Sequence, residues 1–295
     1  MKEFELLSKQ QNKAFNAKNN IILLTFDSGY YKQAINLMMS ANRYNDNISF
    51  ICLCSELTPE VAAEVLNEEY GLGVLLCQYK INFHITEIRW SDVTTFRAFV
   101  PWLIDDPDIT DVLYLDADML VKGDLSPLFD IKDYFLVMAT EVSGNVLSRN
   151  DATGTNIYCN AGMAKINLVA FREEYEIDKY KNDFFEAVKN YDFLDQDFLN
   201  FYIDKKKITI VNGFIYNFQP YELLNTMWFS AALNNCRIIH FSWQRPWDIN
   251  CKFLEYFDIY LRNSFYVPMI YLINQIKIDR LERDYEKIVD EILKI

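Results

Sequence analysis

The chain has 295 residues, of which 51% are apolar and 16% aromatic, and a formal net charge of −13. That apolar content excludes a disordered chain and suffices for one large α/β domain or two small ones. The acidic balance excludes a nucleic-acid interface, which needs a basic footprint, but leaves room for a nucleotide whose diphosphate is neutralised locally by a metal and a few Arg or Lys side chains.

Along the chain, residues 1–19 are polar and charged and suggest a short helix or arm ahead of a domain over 20–255. Ile21-Ile-Leu-Leu-Thr-Phe26 is a continuous apolar run of the kind a parallel strand needs when both its faces are buried, and it stops at Asp27-Ser-Gly29. Ala34, Leu37, Met38 and Ala41 then follow helical spacing, and Ile48 to Cys54 reads as a second strand. Thr58-Pro59-Glu60 sets a cap and a first-turn proline at the start of a helix that runs to about Tyr70. Val74 to Ile81 predicts a third strand, Thr94 to Ile104 a helix kinked or broken at Pro101, and 112–118 a fourth strand. Further on, Tyr158 to Leu168 reads as a strand with a polar entry, Tyr175 to Tyr191 as a helix, Asp195 as the opening of another helix, and Ile238 to His240 as a short strand. Residues 256–295 form a helical tail with an apolar stripe at Leu281, Tyr285, Ile288, Ile292 and Ile295.

Strands alternating with helices imply a Rossmann-like, mostly parallel sheet flanked by helices, with ligands at the carboxyl ends of the strands. No Gly-rich dinucleotide fingerprint or P-loop follows any strand. The six cysteines contain no C-x-x-C pair and several lie in apolar runs, so buried reduced thiols and a cytoplasmic protein are expected. With two histidines in the chain, a structural zinc site is not expected. The N-terminus has no apolar core of signal-peptide length and no stretch reaches a membrane span, so membrane contact is expected to be peripheral at most, at the inner face.

Asp116 and Asp118 follow the strand formers Val112-Leu-Tyr-Leu115 at a spacing of i, i+2. In an extended chain both carboxylates point the same way, and two anions held together call for a cation. A divalent metal that also binds phosphate, and so a nucleotide-dependent enzyme, is the natural reading.

The pattern Val112-Leu-Tyr-Leu-Asp-Ala-Asp-Met-Leu-Val-Lys-Gly-Asp-Leu-Ser-Pro-Leu-Phe129 resembles that of the family 8 glycosyltransferases, which include bacterial lipopolysaccharide galactosyl- and glucosyltransferases and glycogenin-like enzymes. The likeness returns in order at Thr95-Phe-Arg97, Asn160-Ala-Gly162, Ile166-Asn-Leu168, Asp195-Gln-Asp197 with Asn200, and His240-Phe-Ser242 with Arg245-Pro-Trp247. It implies a GT-A fold, a UDP-sugar donor (UDP-glucose or UDP-galactose), a divalent metal that is usually Mn²⁺ with Mg²⁺ as the alternative, and transfer with retention at the anomeric carbon. The acceptor would be a saccharide or glycoconjugate, such as a growing bacterial surface glycan.

By that resemblance Asp116, Asp118 and His240 are the metal ligands, with Asp116 also near the ribose. Asp27 would accept from the uracil N3–H and the Tyr30 ring would offer a stacking face. Arg97 would bridge donor sugar and phosphate, and Asn160, Ala161 and Gly162 would line the donor sugar, Gly162 because a missing Cβ lets backbone come close. Asp195, Gln196 and Asp197 are the reacting-centre candidates. Asp195 would bond donor-sugar hydroxyls, and Gln196 would lie near the anomeric carbon. A neutral amide is a poor nucleophile, which favours front-face transfer through an oxocarbenium-like transition state; an adduct on Asp197 is the double-displacement alternative.

The chain departs from the family at two places. The family's H-x-x-G-x-x-K-P-W run is one residue shorter here, His240-Phe-Ser-Trp-Gln-Arg-Pro-Trp247, with Trp243 near the Gly position and Arg245, a bidentate phosphate partner, in place of Lys. Gly29 stands where a donor-contacting Asn is common. The acceptor regions are expected at 140–157 and 213–235, with 141–157 a mobile loop that orders on donor binding. Residues 262–295 hold six basic and six acidic side chains, so packing on the chain's own domain or on a second subunit in a homo-oligomer is expected over attraction to anionic lipid. Two alternatives have less support. A sugar-nucleotide nucleotidyltransferase would want a Gly/Lys-rich phosphate loop, which Thr25 to Tyr30 is not. A degenerate transferase acting as a binding module would have lost part of the acidic pair, His240 or the D-Q-D segment, and all are present.

Overall fold

The computed structural model describes residues 2–83, 92–142, 157–224, 226–248, 250–251 and 253–292. Its centre is an eight-stranded sheet built from β1 (Phe4–Gln11), β2 (Asn20–Phe26), β3 (Ile48–Ser55), β4 (Val74–Ile81), β5 (Asp111–Leu115), β7 (Leu136–Thr140), β8 (Cys159–Asn167) and β9 (Ile208–Val211) in the order β1-β4-β3-β2-β5-β8-β7-β9. The block β4-β3-β2-β5 is parallel, β8 runs antiparallel to both β5 and β7, and β9 is parallel to β7. A two-stranded antiparallel ribbon, β6 (Met119–Val121) with β10 (Ile238–His240), stands beside the end of β5.

The continuous apolar runs follow from burial on both sides. Ile22, Leu24, Leu113 and Leu115 enter one core; Leu23, Ile51, Val112 and Tyr114 enter the other. Helices cover both faces: α1 (Tyr31–Tyr44), α2 (Pro59–Val65), α3 (Phe96–Leu103), α4 (Ser126–Phe129), α5 (Leu168–Glu174), α6 (Ile177–Ala187), α7 (Leu194–Tyr202), α8 (Gly213–Tyr216), α9 (Pro220–Leu223), α10 (Phe229–Asn235), α11 (Leu254–Arg262) and α12 (Val267–Ile292). Thr58 caps α2 by accepting from the Val61 amide, with Pro59 in the first turn. All six cysteines are reduced and buried. No described helix is long and apolar enough to cross a membrane.

Four local readings change. Part of 1–19 is strand and not helix: β1 pairs antiparallel with β4 from Phe4↔Ile81 to Gln11↔Leu75, because β4 offers an open edge and Phe4 has a buried seat against Phe96 and Phe99. The fourth strand ends at Leu115, and Asp116 to Asp118 form a turn closed by the Met119 amide on the Asp116 carbonyl at 3.1 Å. Pro101 does not break α3; it lies within the helix, and Ile104 still bonds back to Val100. In the second half the sheet turns antiparallel at β8, and β7 and β9 are strands that periodicity did not mark.

The tail is fastened to α1. Asn36, fully buried, donates to the Tyr260 hydroxyl (2.9 Å) and Ser264 Oγ (3.0 Å), and accepts from the Phe265 (2.9 Å) and Tyr266 (3.1 Å) amides.

Candidate active site

At the carboxyl ends of β2 and β5 the sheet opens into a cleft of about 280 Å³. The turn after β5 supplies Asp116 and Asp118. The β6–β10 ribbon sets His240 opposite Met119, and the Phe241 amide bonds the Asp118 carbonyl at 3.0 Å, so the imidazole is locked beside both carboxylates. Ligand atoms of Asp116, Asp118 and His240 lie within 4.8 Å of one another.

His240 Nε2 is 3.1 Å from Asp118 Oδ1 and 3.8 Å from Asp116 Oδ2, while Nδ1 is 2.7 Å from Asn217 Oδ1. The amide oxygen accepts from Nδ1–H, so Nε2 faces the carboxylates, carrying a proton in the imidazolium and a lone pair once the ring is neutral. Burial alone would lower the His240 pKa, but Asp118 and then Asp116 outweigh it and hold the pKa above its ordinary value. Burial alone would raise Asp118; His240 and Arg245 keep its carboxyl below the usual range. Apart from the His240 ring nitrogen at 3.1 Å, buried Asp118 Oδ1 has no hydrogen-bond partner among the described residues. A buried carboxylate whose Oδ1 meets only the imidazole, a second carboxylate and an oriented imidazole fit a divalent cation of the Mn²⁺ or Mg²⁺ kind.

Gly162 makes this cluster sterically feasible. A Cβ there would stand 2.6 Å from His240 Cε1 and 2.7 Å from Asp116 Oδ2. Its missing side chain admits the ligand side chains themselves, a different use from the sugar contact expected of it. The Gly162 carbonyl also accepts from the Asp116 amide at 2.9 Å, extending the β5–β8 pairing into the turn.

Arg97 on α3 lies between two carboxylates. Its Nη1 is 3.1 Å from both oxygens of Asp116, and its Nε donates to Asp195 Oδ2. Burial raises the Asp195 carboxyl above its usual range against the pull of Arg97. Tyr114 donates to Asp116 Oδ1 at 2.6 Å; burial and that neighbouring carboxylate push the phenol up, so it stays a donor.

The D-Q-D segment starts α7. Asp195 and Gln196 line the cleft. Gln196 Oε1 accepts from the Ala161 amide at 3.0 Å, and its Nε2 donates to the Tyr158 hydroxyl at 3.1 Å. Asp197 does not line the cleft: its carboxylate accepts from the Tyr158 hydroxyl at 2.5 Å and the Phe193 amide at 2.9 Å. Ala161 is fully buried and acts through its backbone. Asn160 lines the cleft; it bonds Glu141 Oε2 at 2.7 Å and takes the Gly162 amide at 2.8 Å.

Across the cleft, Asp27 Oδ1 accepts from the Gly29 amide at 2.9 Å. Tyr30 meets Trp247 edge-on at 6.1 Å and lies under the Arg245 guanidinium at 5.6 Å. Arg245 Nη2 is 3.7 Å from Asp118 Oδ2, and its buried Nε has no hydrogen-bond partner. Trp243, 46% exposed, stands on the cleft rim with its edge toward Phe193. The structure thus brings the three expected metal ligands, Gln196 and Asp195, and the expected donor residues except Ala161 and Gly162, to one cleft, and leaves Ala161, Gly162 and Asp197 out of its lining. Residues 143–156, most of the expected mobile loop, lie outside the described residues.

Sequence reasoning missed Asn217, Gln219, Glu141 and Tyr158. Asn217-Phe-Gln219 lies in a segment set aside for acceptor contacts, yet Phe218 bridges to Ile239 and brings Asn217 to His240. Gln219 Nε2 donates to Glu141 Oε1 at 2.6 Å. The polar-apolar-polar alternation was the available signal.

The chain is similar to General stress protein A of Bacillus subtilis (strain 168), 27% identical over 203 residues that cover 62% of this chain and 70% of that protein. It is similar to glycosyltransferase GlyB of Streptococcus pneumoniae serotype 4, 26% identical over 82% of this chain and 64% of GlyB. Among solved structures, galactosyltransferase LgtC in complex with donor and acceptor sugar analogs superposes with a TM-score of 0.60 at 22% identity, over 78% of this chain and 90% of LgtC. The apo bifunctional glycosyltransferase WbbM superposes with a TM-score of 0.66 at 20% identity, over 87% of this chain and 51% of WbbM. The chain therefore spans less than two thirds of GlyB and about half of WbbM. The fold is that of the GT-A glycosyltransferases. Residues 21–251 match the model of glycosyl transferase family 8, and with the bulk of its length inside that match the chain belongs to this family.

Proposed function

We propose that the chain is a retaining, metal-dependent hexosyltransferase that moves glucose or galactose from a UDP-sugar to a saccharide or glycoconjugate acceptor. The observation that carries this reading is the Asp116–Asp118–His240 cluster, whose ligand atoms lie within 4.8 Å of one another and whose imidazole is oriented by Asn217, in the same cleft as Arg97, Gln196 and Arg245. LgtC, described in complex with donor and acceptor sugar analogs, shares the fold and supports a sugar donor and a sugar acceptor here.

In this reading Asp116, Asp118 and His240 hold the cation, which when bound supplies Lewis-acid stabilisation of the leaving diphosphate. Arg245 pairs with a phosphate oxygen through its unpartnered Nε, Tyr30 offers its ring to the uracil, and Asp27 accepts from the base. Arg97, pinned between Asp116 and Asp195, fixes both carboxylates, and Asp195 orients donor-sugar hydroxyls. The acceptor oxygen bonds the anomeric carbon on the face from which UDP departs, the bond from that carbon to the phosphate oxygen breaks, and the acceptor proton passes to the departing phosphate. The Gln196 side-chain oxygen, held by the Ala161 amide, presents its remaining lone pair to the developing positive charge. Because Asp197 is committed to Tyr158 and the Phe193 amide, the double-displacement alternative is disfavoured.

The test is a screen of nucleotide sugars for hydrolysis with and without Mn²⁺. UDP release from UDP-glucose or UDP-galactose that needs Mn²⁺ and is lost in Asp118→Asn supports the proposal. Cleavage of no nucleotide sugar under any metal, by protein that is folded, would refute it.

A further inference from the structure

We propose, resting on the glycosyl transfer proposed above, that Tyr158 is a positioning residue that fixes which end of the Gln196 amide meets the reacting carbon, with Asp197 setting the direction of its hydroxyl. Four residues form one chain of hydrogen bonds at the cleft wall. The Tyr158 hydroxyl donates to the Asp197 carboxylate at 2.5 Å, Gln196 Nε2 donates to the hydroxyl oxygen at 3.1 Å, and the Ala161 amide donates to Gln196 Oε1 at 3.0 Å.

The direction of every bond follows from the two ends of this chain. A carboxylate has no proton to give, so the Tyr158 hydroxyl must donate to it and can only accept from Gln196. A backbone amide can only donate, so Ala161 requires the Gln196 oxygen. Both ends name the same orientation, nitrogen toward Tyr158 and oxygen toward Ala161. With the amide turned over, the Ala161 N–H would face an NH2 group, and two carbonyl and hydroxyl oxygens would meet with no proton between them. All four residues are buried, so that error would cost two hydrogen bonds at once. The correct orientation is the one that gives the developing positive charge an oxygen instead of an N–H.

The backbone here is held without the hydroxyl. Asn200 joins α7 to β8: its Oδ1 accepts from the Cys159 amide at 2.9 Å, and its Nδ2 donates to the Cys159 carbonyl at 2.7 Å and the Gln196 carbonyl at 2.9 Å. The Tyr158 carbonyl accepts from the Glu141 amide at 3.0 Å. The second Asp197 oxygen accepts from the Phe193 amide at 2.9 Å, which stops the carboxylate from turning away. Asp197→Asn keeps the shape and breaks the polarity. The Phe193 amide claims its oxygen, its NH2 then faces Tyr158, and one buried proton is left without an acceptor whichever way the amides turn.

The test is a double-substitution cycle on Tyr158→Phe and Asp197→Asn, read by donor turnover and by hydrogen exchange at the Ala161 amide. Each single variant should lower kcat by about 10- to 100-fold and leave donor KM within about twofold. Added to Tyr158→Phe, Asp197→Asn should lower kcat by less than about twofold further, because it acts through the hydroxyl already removed. The Ala161 amide should exchange about tenfold faster in both single variants, although neither changed side chain bonds it. Equal loss of turnover from Asp197→Asn with and without the Tyr158 hydroxyl would mark Asp197 as an attacking group and overturn the proposal, as would unchanged Ala161 exchange in both variants. A parent that cleaves no nucleotide sugar, with Ala161 protection still lost in both variants, would uphold the orienting role of Tyr158 and count against the hexosyltransfer reading alone.

Discussion

The side-chain oxygen of Asn217 stands 2.7 Å from Nδ1 of His240, and this one contact decides which imidazole nitrogen faces the carboxylates. Asn217→Ala should lower Mn²⁺ affinity by about 10- to 100-fold, the usual effect of losing a partner that orients a ligand. Titration calorimetry with Mn²⁺ measures it; unchanged affinity would remove His240 from the ligand set.

Gly162→Ala should be damaging for a reason unrelated to backbone freedom. The added Cβ would meet His240 Cε1 at 2.6 Å, Asp116 Oδ2 at 2.7 Å and Met119 Cε at 2.8 Å. Overpacking of this kind costs about 1–3 kcal/mol. Thermal unfolding should shift down by several degrees, and Mn²⁺ affinity should fall with it, because the atoms that must move are the ligands.

Metal binding should depend on pH with a defined sign. Asp118 and Asp116 overcome the effect of burial and raise His240 above its ordinary 6.5, so in the metal-free protein the imidazole keeps its proton past that pH. A ligand must be neutral, so Mn²⁺ affinity should climb as pH rises through the raised pKa and one proton should be released on binding below it. The same shift stabilises the metal-free fold below pH 6.5, and that contribution should fade as pH rises through the folded value. Calorimetry in buffers of different ionisation heats, with melting curves over the same range, would show both; affinity independent of pH would contradict the assignment.

Gln196→Ala should reduce kcat by about 10²-fold with little change in donor KM, since the proposed role is confined to the transition state. Full transfer activity in the variant would sink the front-face reading. A rise in KM with kcat intact would show that Gln196 serves only to brace the Ala161 amide and Tyr158.

Asn36→Leu should loosen the tail. Four hydrogen bonds from one buried amide tie α1 to α11 and the start of α12, and removing them leaves the Phe265 and Tyr266 amides and the Tyr260 hydroxyl without that partner, while Ser264 keeps its bond to the Tyr260 carbonyl. A loss of about 2–4 kcal/mol is expected from such a network. Chemical denaturation measures it, and limited proteolysis should then cut ahead of α12.

Parts of the molecule were legible in sequence because a single requirement governed them. β2 to β5 and β8 are buried on both faces, so their residues had to be apolar whatever their neighbours. Asp116, Asp118 and His240 are of the few side-chain types that could hold a metal ion together. β1 was not legible because Phe4 is its one buried residue and five of its other seven positions are polar, which is also how an arm reads. Asn217 was not, because its role depends on the Phe218–Ile239 bridge between distant segments. Asp197 was read with its neighbours as one motif, but on a helix each residue turns by about 100°, and that rotation takes it off the cleft wall.

β1 also governs how the protein behaves toward its own kind. A parallel sheet whose last strand is β4 would end in a row of unsatisfied amides and carbonyls, an invitation to strand addition. β1 fills that row from Phe4 to Gln11 and turns outward a margin that includes Glu5, Gln10 and Gln11, with Lys9 drawn down to Asp105 at 2.7 Å. Shortening the chain to the apolar run of β2 would leave the cleft's residues in place but return the edge of β4 to the surface, and self-association by strand addition is the expected result.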